Sequence, residues 1–405
     1  MRAINICLLI SMFFIGDSFA QSTDSTLDVV SWNIEWFGST SNGPTNKSLQ
    51  EANVVKVLKW MNADLYGLVE VVDTLRMRRV VDELGNAEFG YVISPFCTQA
   101  TQPSGNAWLN GQKLAFIYRK SVFSNISTRG MMRNSATANT NWASGRFPFM
   151  LSATATMEGV SKQMNIILIH AKAGSTESDY LKRLVGSQEL KDTLDMYYGS
   201  ANTLIIGDFN DALHNSIYPG ASVSSYNPIV MDSTDADHYK SVTMSLGIAG
   251  QSSMINYPNV IDNHIISNEV TPVFIKSSPK VVTDVVTQIP DYVTARNTSD
   301  HYPVLTRYDF NGTIVTGLPS IPISAAGVKA WPNPVVRDLL VSTRTTHRSM
   351  RMRIYNSSGM QVYALDRQLW LNGELIRIPM QDLPSGIYIL ELSTPSFRTQ
   401  HTLIK

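Results

Sequence analysis

Leu204-Ile205-Ile206-Gly207-Asp208-Phe209-Asn210-Asp211 runs from a strand signal straight into polar chemistry. Three apolar residues that read as a buried strand meet a glycine, and Asp208 and Asn210 then stand two apart. On an extended chain such residues share a face, so both are expected to project into one cleft beyond a sheet edge. A carboxylate beside a neutral amide suits an attacking water and a phosphate oxygen. Strand-end Asp and Asn are also common turn formers, so this peptide alone leaves the turn reading open.

The same grammar recurs. Leu27 to Trp32 alternates and runs into Asn33 and Glu35, Leu65 to Val69 ends in Glu70, and Asn165 to Ile169 ends in His170. Val260-Ile261 leads to Asp262, and Ser299-Asp300-His301 precedes Pro303-Val304-Leu305. Six strand ends carrying metal-binding and proton-transfer groups describe one polar, wet cleft at the edge of a sheet sandwich.

Taken in order, Ser31-Trp32-Asn33-Ile34-Glu35, Leu68-Val69-Glu70-Val71, Leu168-Ile169-His170, Gly207-Asp208-Phe209-Asn210, Ile261-Asp262 and Ser299-Asp300-His301-Tyr302-Pro303 resemble the motif series of the endonuclease/exonuclease/phosphatase superfamily. The match spans roughly residues 27 to 310. Val69 departs from the Gln that often precedes the Glu but leaves the carboxylate in place. The resemblance implies an α+β, deoxyribonuclease I-like four-layer sandwich: two packed β-sheets flanked by helices.

Phosphodiester hydrolysis needs a water nucleophile, neutralised phosphoryl oxygens and a stabilised leaving alkoxide. Mg²⁺, with Mn²⁺ or Ca²⁺ as substitutes, takes hard oxygen ligands, which assigns Glu70 and Asp300 to the metal, with Asn33 orienting one of them or binding directly. His301 needs a partner to fix its tautomer, and by resemblance that partner is Asp262. Asp208 competes with His301 as general base. Asn210 holds the nucleophile or a phosphoryl oxygen, and His170 faces the phosphate from across the cleft. Arg146, in Gly145-Arg146-Phe147-Pro148, aligns with a family Arg-x-Pro strand start and is expected to grip a phosphate, a surface ion pair being the alternative. Glu35 either aids the metal or caps its strand. His214, His238, His264 and Glu269 lack metal spacing and are read as structural, which disfavours zinc.

The resemblance favours a secreted nuclease acting on DNA, with RNA as an alternative. The Trp32-to-Gly38 start and the His170-Ala171-Lys172-Ala173-Gly174 continuation look more like extracellular nucleases than like sphingomyelinases or inositol-phosphate phosphatases of the same fold. A degenerate binding protein is disfavoured because every catalytic position holds a competent residue.

Arg2, the apolar run Ile4 to Ile15 and Ser18-Phe19-Ala20 have the order of a secretory signal peptide over 1–20. The run is shorter than the ~20 residues that span a bilayer, and no second hydrophobic span appears, so no stable membrane insertion is expected. Cleavage leaves Cys97 as the only cysteine, so stability must come without an internal disulfide. Residues 21–312 carry 22 Lys+Arg against 27 Asp+Glu, while 313–405 carry 10 against 5. An acidic catalytic region is awkward for a polyanion unless a cation offsets the cleft carboxylates, so charge neither supports nor excludes nucleic acid.

Apolar spacing predicts helices on Leu49, Ala52, Val55, Leu58 and Met61 and on Leu181, Leu184, Val185 and Leu194. The stretches 100–110 and 134–145 read as loops, with Trp108 and Trp142 either anchoring them or stacking on substrate. Residues 313–327 are proline-punctuated and read as a linker after a domain over 21–312. Short strands follow at Leu339–Ser342, Met350–Tyr355, Leu375–Ile378, Gly386–Leu392 and Thr399–Ile404, giving a small C-terminal all-β sandwich over 328–405. Trp331-Pro332-Asn333-Pro334, Ile354 to Gly359, Leu383-Pro384-Ser385-Gly386-Ile387-Tyr388 and Lys405 resemble the sorting domain of the type IX secretion system. That implies passage through a Gram-negative periplasm to the cell surface or medium, with the secretion machinery as partner.

Overall fold

Alternating and continuous apolar runs become strands because each buries one or both faces against a neighbouring layer. The computed structural model describes residues 26–99, 105–231, 238–311, 327–356, 360–394 and 398–405. The chain divides into two units at Thr313 and Ile314. The expected signal peptide and nearly all of the expected linker lie outside the described residues.

The first unit runs β1 (Leu27–Phe37), α1 (Lys47–Met61), β2 (Leu65–Val71), α2 (Thr74–Gly85), β3 (Phe89–Ile93), α3 (Asn106–Asn110), β4 (Lys113–Arg119), β5 (Phe123–Gly130), α4 (Ala136–Asn141), β6 (Phe149–Met157), β7 (Val160–His170) and α5 (Glu177–Tyr198). It continues with β8 (Asn202–Asp208), α6 (Asn227–Val230), β9 (Tyr239–Ser241), α7 (Met244–Ile248), β10 (Asp262–Ser267), β11 (Lys280–Val281), α8 (Val285–Gln288), α9 (Tyr292–Ala295) and β12 (Val304–Tyr308).

Two six-stranded sheets result, in the orders β11-β12-β1-β2-β4-β3 and β5-β6-β7-β8-β10-β9. Leu27, Val29, Leu65 and Phe116 of one meet Phe149, Ile166, Leu168, Leu204 and Ile206 of the other in a shared core. The outer face of the first sheet packs Val54, Val57, Met77 and Val80 from α1 and α2, and that of the second packs Leu190 and Leu194 from α5. This is the expected four-layer α+β sandwich.

Both helices form, but their buried faces are offset from the apolar positions. In α1 the buried residues are Gln50, Asn53, Val54, Val57 and Leu58, while Leu49 is exposed. In α5 they include Arg183, Ser187 and Lys191, with Leu181 and Val185 exposed. Gln50, Asn53, Arg183 and Ser187 displace apolar side chains because they carry hydrogen bonds to neighbouring segments. The two expected loops contain α3 and α4, and Trp108 and Trp142 are buried anchors rather than stacking surfaces.

Pairing explains why the site collects at one edge. β1 with β2 and β7 with β8 are the parallel pairs, so Asn33, Glu70, His170 and Asp208 all lie toward C-terminal strand ends. β10 and β12 run antiparallel to β8 and β1, so Asp262 and His301 reach the same edge from strand beginnings; Val260-Ile261 precede β10 rather than forming it.

The second unit comprises β13 (Val328–Trp331), β14 (Asp338–Thr343), β15 (His347–Asn356), β16 (Gln361–Trp370), β17 (Leu375–Pro379), β18 (Ile387–Ser393) and β19 (Arg398–Ile404). Sheets β13-β14-β17 and β16-β15-β18-β19 enclose Leu339, Val341, Met352, Ile354, Leu390 and Leu403, giving the expected all-β sandwich. β13 and β16 are additional; β16 is a mostly exposed edge strand and so lacks an apolar signature. Among the described residues no helix is long and apolar enough to cross a membrane.

Candidate active site

Gly207 explains the local turn at the end of β8. Its φ is +126°, and a Cβ there would lie 2.2 Å from the Ile169 carbonyl oxygen, so only glycine lets β8 approach β7 this closely. Asp208 and Asn210 do converge, by a different route from strand alternation. Asn210 is left-handed (φ 49°), its N–H donates to Asp208 Oδ1 at 2.8 Å, and its Nδ2 donates to the Ala171 carbonyl at 3.3 Å. The turn and the cleft reading coexist in one residue.

Asn33 ties the sheets together across the cleft. Its Nδ2 donates to Glu70 Oε1 (3.2 Å) and Asp208 Oδ2 (3.1 Å), and its Oδ1 accepts the Glu35 N–H. The amide oxygen is thereby engaged, which fits a group orienting carboxylates. Glu70 Oε2 accepts from the Trp36 N–H at 2.8 Å. Glu35, Trp36 and Glu70 have φ of 44°, 47° and 66°, where the β1–β2 and β2–β4 registers shift. Left-handed backbone costs about 1–2 kcal/mol per non-glycine residue, and here it aims Glu70 at the cleft.

His301 is fixed through both ring and backbone. Nδ1 lies 2.7 Å from Asp262 Oδ2, and Nε2 lies 3.9 Å from Asp300 Oδ1. Its carbonyl accepts from Trp32 Nε1 and the Tyr292 hydroxyl, and its N–H donates to Ser299 Oγ. Asp300 pairs with Arg296 at 3.2 Å. His170 Nε2 is 3.5 Å from Glu70 and 3.6 Å from Asp208, with Nδ1 buried and unpartnered.

Arg146 turns its guanidinium toward the backbone behind His170. Nε and Nη2 donate to the carbonyls of His170 (2.9 Å) and Ala171 (3.0 Å), and Nη1 donates to Gln112 Oε1 at 2.5 Å. The side chain is buried, so it is not a surface ion pair. It anchors the segment that carries His170. Nor is the cleft wet at these positions: His170, Asp208 and His301 are 3%, 2% and 5% exposed.

Burial sets the electrostatics. It raises Asp208 to about 7, with Asp262 adding to the rise and His301, Asn210 and Asn33 opposing it. Glu35 rises to about 7 through burial and then Asp300, and Glu70 also rises through burial. Burial and then Arg146 push His170 well below its usual range. Burial alone would depress His301, but the charge and hydrogen bond of Asp262, then Asp208 and Asp300, lift it to about 10.

Acceptors exceed donors in this cluster. Glu35 Oε2 and Asp262 Oδ1 are buried without hydrogen-bond partners. Atoms of Asp208, Asp262 and His301 lie within 4.8 Å of one another, a spacing able to hold a metal ion, beside Glu70 and Asp300. Buried oxygen acceptors in excess of donors suit a hard divalent cation.

Sequence reasoning left out several supporting groups. Gln50, on the buried face of α1, donates to the Ile34, Glu35 and Thr298 carbonyls. Tyr292, nine residues before His301, holds the His301 carbonyl, and Gln112 reaches Arg146 across 34 positions. His264, expected to be structural, sits between Ser31 and Thr306 with its pKa lowered to about 3 by burial.

The chain is similar to several solved structures. An endonuclease/exonuclease/phosphatase from Beutenbergia cavernae shares 14% identity at TM-score 0.48, covering 94% of this chain and 100% of that one. One from Bacteroides vulgatus shares 15% at 0.46, covering 70% and 98%. The human nocturnin catalytic domain shares 14% at 0.46, covering 70% and 94%. No curated protein matches the chain. Residues 329–405 match the family described as Secretion system C-terminal sorting domain, which assigns the tail, and with it the protein's route, to secretion or display at the cell surface.

Proposed function

We propose that the first unit is a divalent-metal-dependent phosphodiesterase, an extracellular nuclease hydrolysing DNA or RNA, exported by the type IX system through its tail. The observation that carries this reading is the buried Asp262–His301 pair facing Asp208 and His170 at the sheet edge that also bears Glu70 and Asp300.

Glu70, Asp300 and Glu35 would hold the cation, with Asn33 orienting Glu70. When bound, the ion neutralises charge on the phosphoryl and leaving oxygens. Asp208, lifted to about 7, is poised near neutral pH to take the proton of the attacking water. His301, lifted to about 10, is cationic at neutral pH and supplies positive charge to the phosphoryl oxygens as the transition state forms. His170 stays neutral and donates one hydrogen bond to a phosphate oxygen. This division of labour leaves Asp262 as the orienter of His301.

Incubating the mature protein with plasmid DNA, RNA, sphingomyelin and inositol polyphosphates, with Mg²⁺ or with chelator, tests the reading. Metal-dependent cleavage of nucleic acid is expected. Turnover confined to a lipid or inositol substrate would transfer the assignment, and full activity under exhaustive chelation would end it.

A further inference from the structure

Ten residues beyond His170 and ten beyond Asp208, the segments leaving β7 and β8 each carry a tyrosine, Tyr180 and Tyr218. Their half-buried rings lie 5.6 Å apart, tilted by 42°. Both segments leave the sheet edge where the catalytic side chains converge.

A buried network holds this pair in place. Arg183, with no exposed side-chain surface, donates to the carbonyls of Lys172 (2.9 Å) and Gly174 (2.7 Å), and its Nε lies 3.8 Å from Asp211 Oδ2. Asp211 accepts from the N–H groups of Ile217 (2.7 Å) and Ser225 (3.0 Å) and from the hydroxyls of Ser216 and Ser225. One buried ion pair therefore pins both tyrosine-bearing segments. Tyr218 lies directly on Gly220, where a Cβ would come within 2.3 Å of the ring. Leu181 and Val223, 47% and 48% exposed, flank the two segments in sequence. Partly exposed aromatic rings on a rigid base, carried by the two segments that leave the proposed catalytic edge, have the properties of a stacking platform, because every base offers a π-face.

We propose that Tyr180 and Tyr218 form a subsite that stacks a nucleobase of the strand being cut. The proposal rests on the nucleic-acid reading of the active site, and its test separates the two. The probe is a single strand with phosphorothioate linkages that carries one 2-aminopurine flanked by abasic positions, added to the full chain with Mg²⁺. Its fluorescence should be quenched on binding. Tyr180→Ala, Tyr218→Ala and Gly220→Ala should each weaken quenching-detected binding by about tenfold, within the range for loss of one base stack. Binding of an all-abasic strand of equal length should stay unchanged. With ordinary single strands, KM should rise by the same factor while kcat holds. Gly220→Ala removes no ring, so it guards against a loss caused by poor folding of the tyrosine variants. Equal quenching in variants and parent, or equal weakening on the all-abasic strand, overturns the subsite. If the parent cleaves no nucleic acid yet shows tyrosine-dependent quenching, the nuclease reading falls and the subsite stands; if the parent shows no quenching, the subsite falls whatever the enzyme hydrolyses.

Discussion

Removing the divalent cation should cost this protein stability in a pH-dependent way whose sign follows from the buried carboxylates. Asp208 moves from an ordinary 3.8 to about 7 in the folded chain. Between those values the native carboxyl keeps its proton while the unfolded one has lost it, so metal-free stability falls as pH rises. The slope is ~1.4 kcal/mol per pH unit for one group, and the fall from pH 5 to pH 8 is about 3 kcal/mol. Glu35, raised from 4.5 to about 7, acts in the same direction with a smaller contribution because it is partly open to water. His301, raised from 6.5 to about 10, also has the same sign: its stabilisation is complete below 6.5 and lost as pH climbs toward 10. A cation held by Glu70, Asp300 and Glu35 would favour the ionised forms of Glu35 and of Asp208 nearby, so the gain from Mg²⁺ or Mn²⁺ should be larger at pH 8 than at pH 5. At roughly 2–4 °C per kcal/mol for a large domain, the difference in Tm shift should be on the order of 6–12 °C. Scanning calorimetry of the full chain in saturating Mg²⁺ and in chelator, at both pH values, measures it. A metal shift that is equal at the two pH values, or larger at pH 5, would refute the placement of the cation against these carboxylates.

Three further outcomes are expected. Asp262→Asn should lower turnover by ~10²-fold or more with little change in KM, because His301 loses the partner that fixes its tautomer and charge; near-parental kcat would remove the pair from the mechanism. Arg146→Lys should lower kcat about tenfold or more without raising KM, since an ammonium cannot span the His170 and Ala171 carbonyls; a rise confined to KM would restore the phosphate-gripping role. A chain ending at Asn311 should remain folded by circular dichroism, cleave substrate at the full-length rate and accumulate in the periplasm, whereas loss of activity in a folded truncation would make the tail a substrate-binding module.

The sequence by itself carried the strands that lead to Asn33, Glu70, His170 and Asp208, the polar groups Asp262 and His301 beside two further strands, and the sandwich of the tail. Those are local properties: an apolar run, a glycine and a carboxylate can be read over eight residues, as at Leu204 to Asp211. Packing decided the rest. Asn33 reaches Asp208 across 175 positions and His301 reaches Asp262 across 39 because two sheets stack with their catalytic ends aligned, and Trp32 holds the His301 carbonyl across 269 because β1 pairs with β12. Arg146 reads as a phosphate-gripping donor only through its likeness to a family Arg-x-Pro strand start; in the fold it is buried behind His170 with its fork toward backbone carbonyls. The buried faces of α1 and α5 shifted for a related reason, since Gln50 and Arg183 satisfy the Thr298 and Gly174 carbonyls, which would otherwise be stranded. Periodicity records which residues avoid water, whereas hydrogen-bond demand inside the folded protein is set by segments far away in the chain, and only the tertiary structure brings the two together.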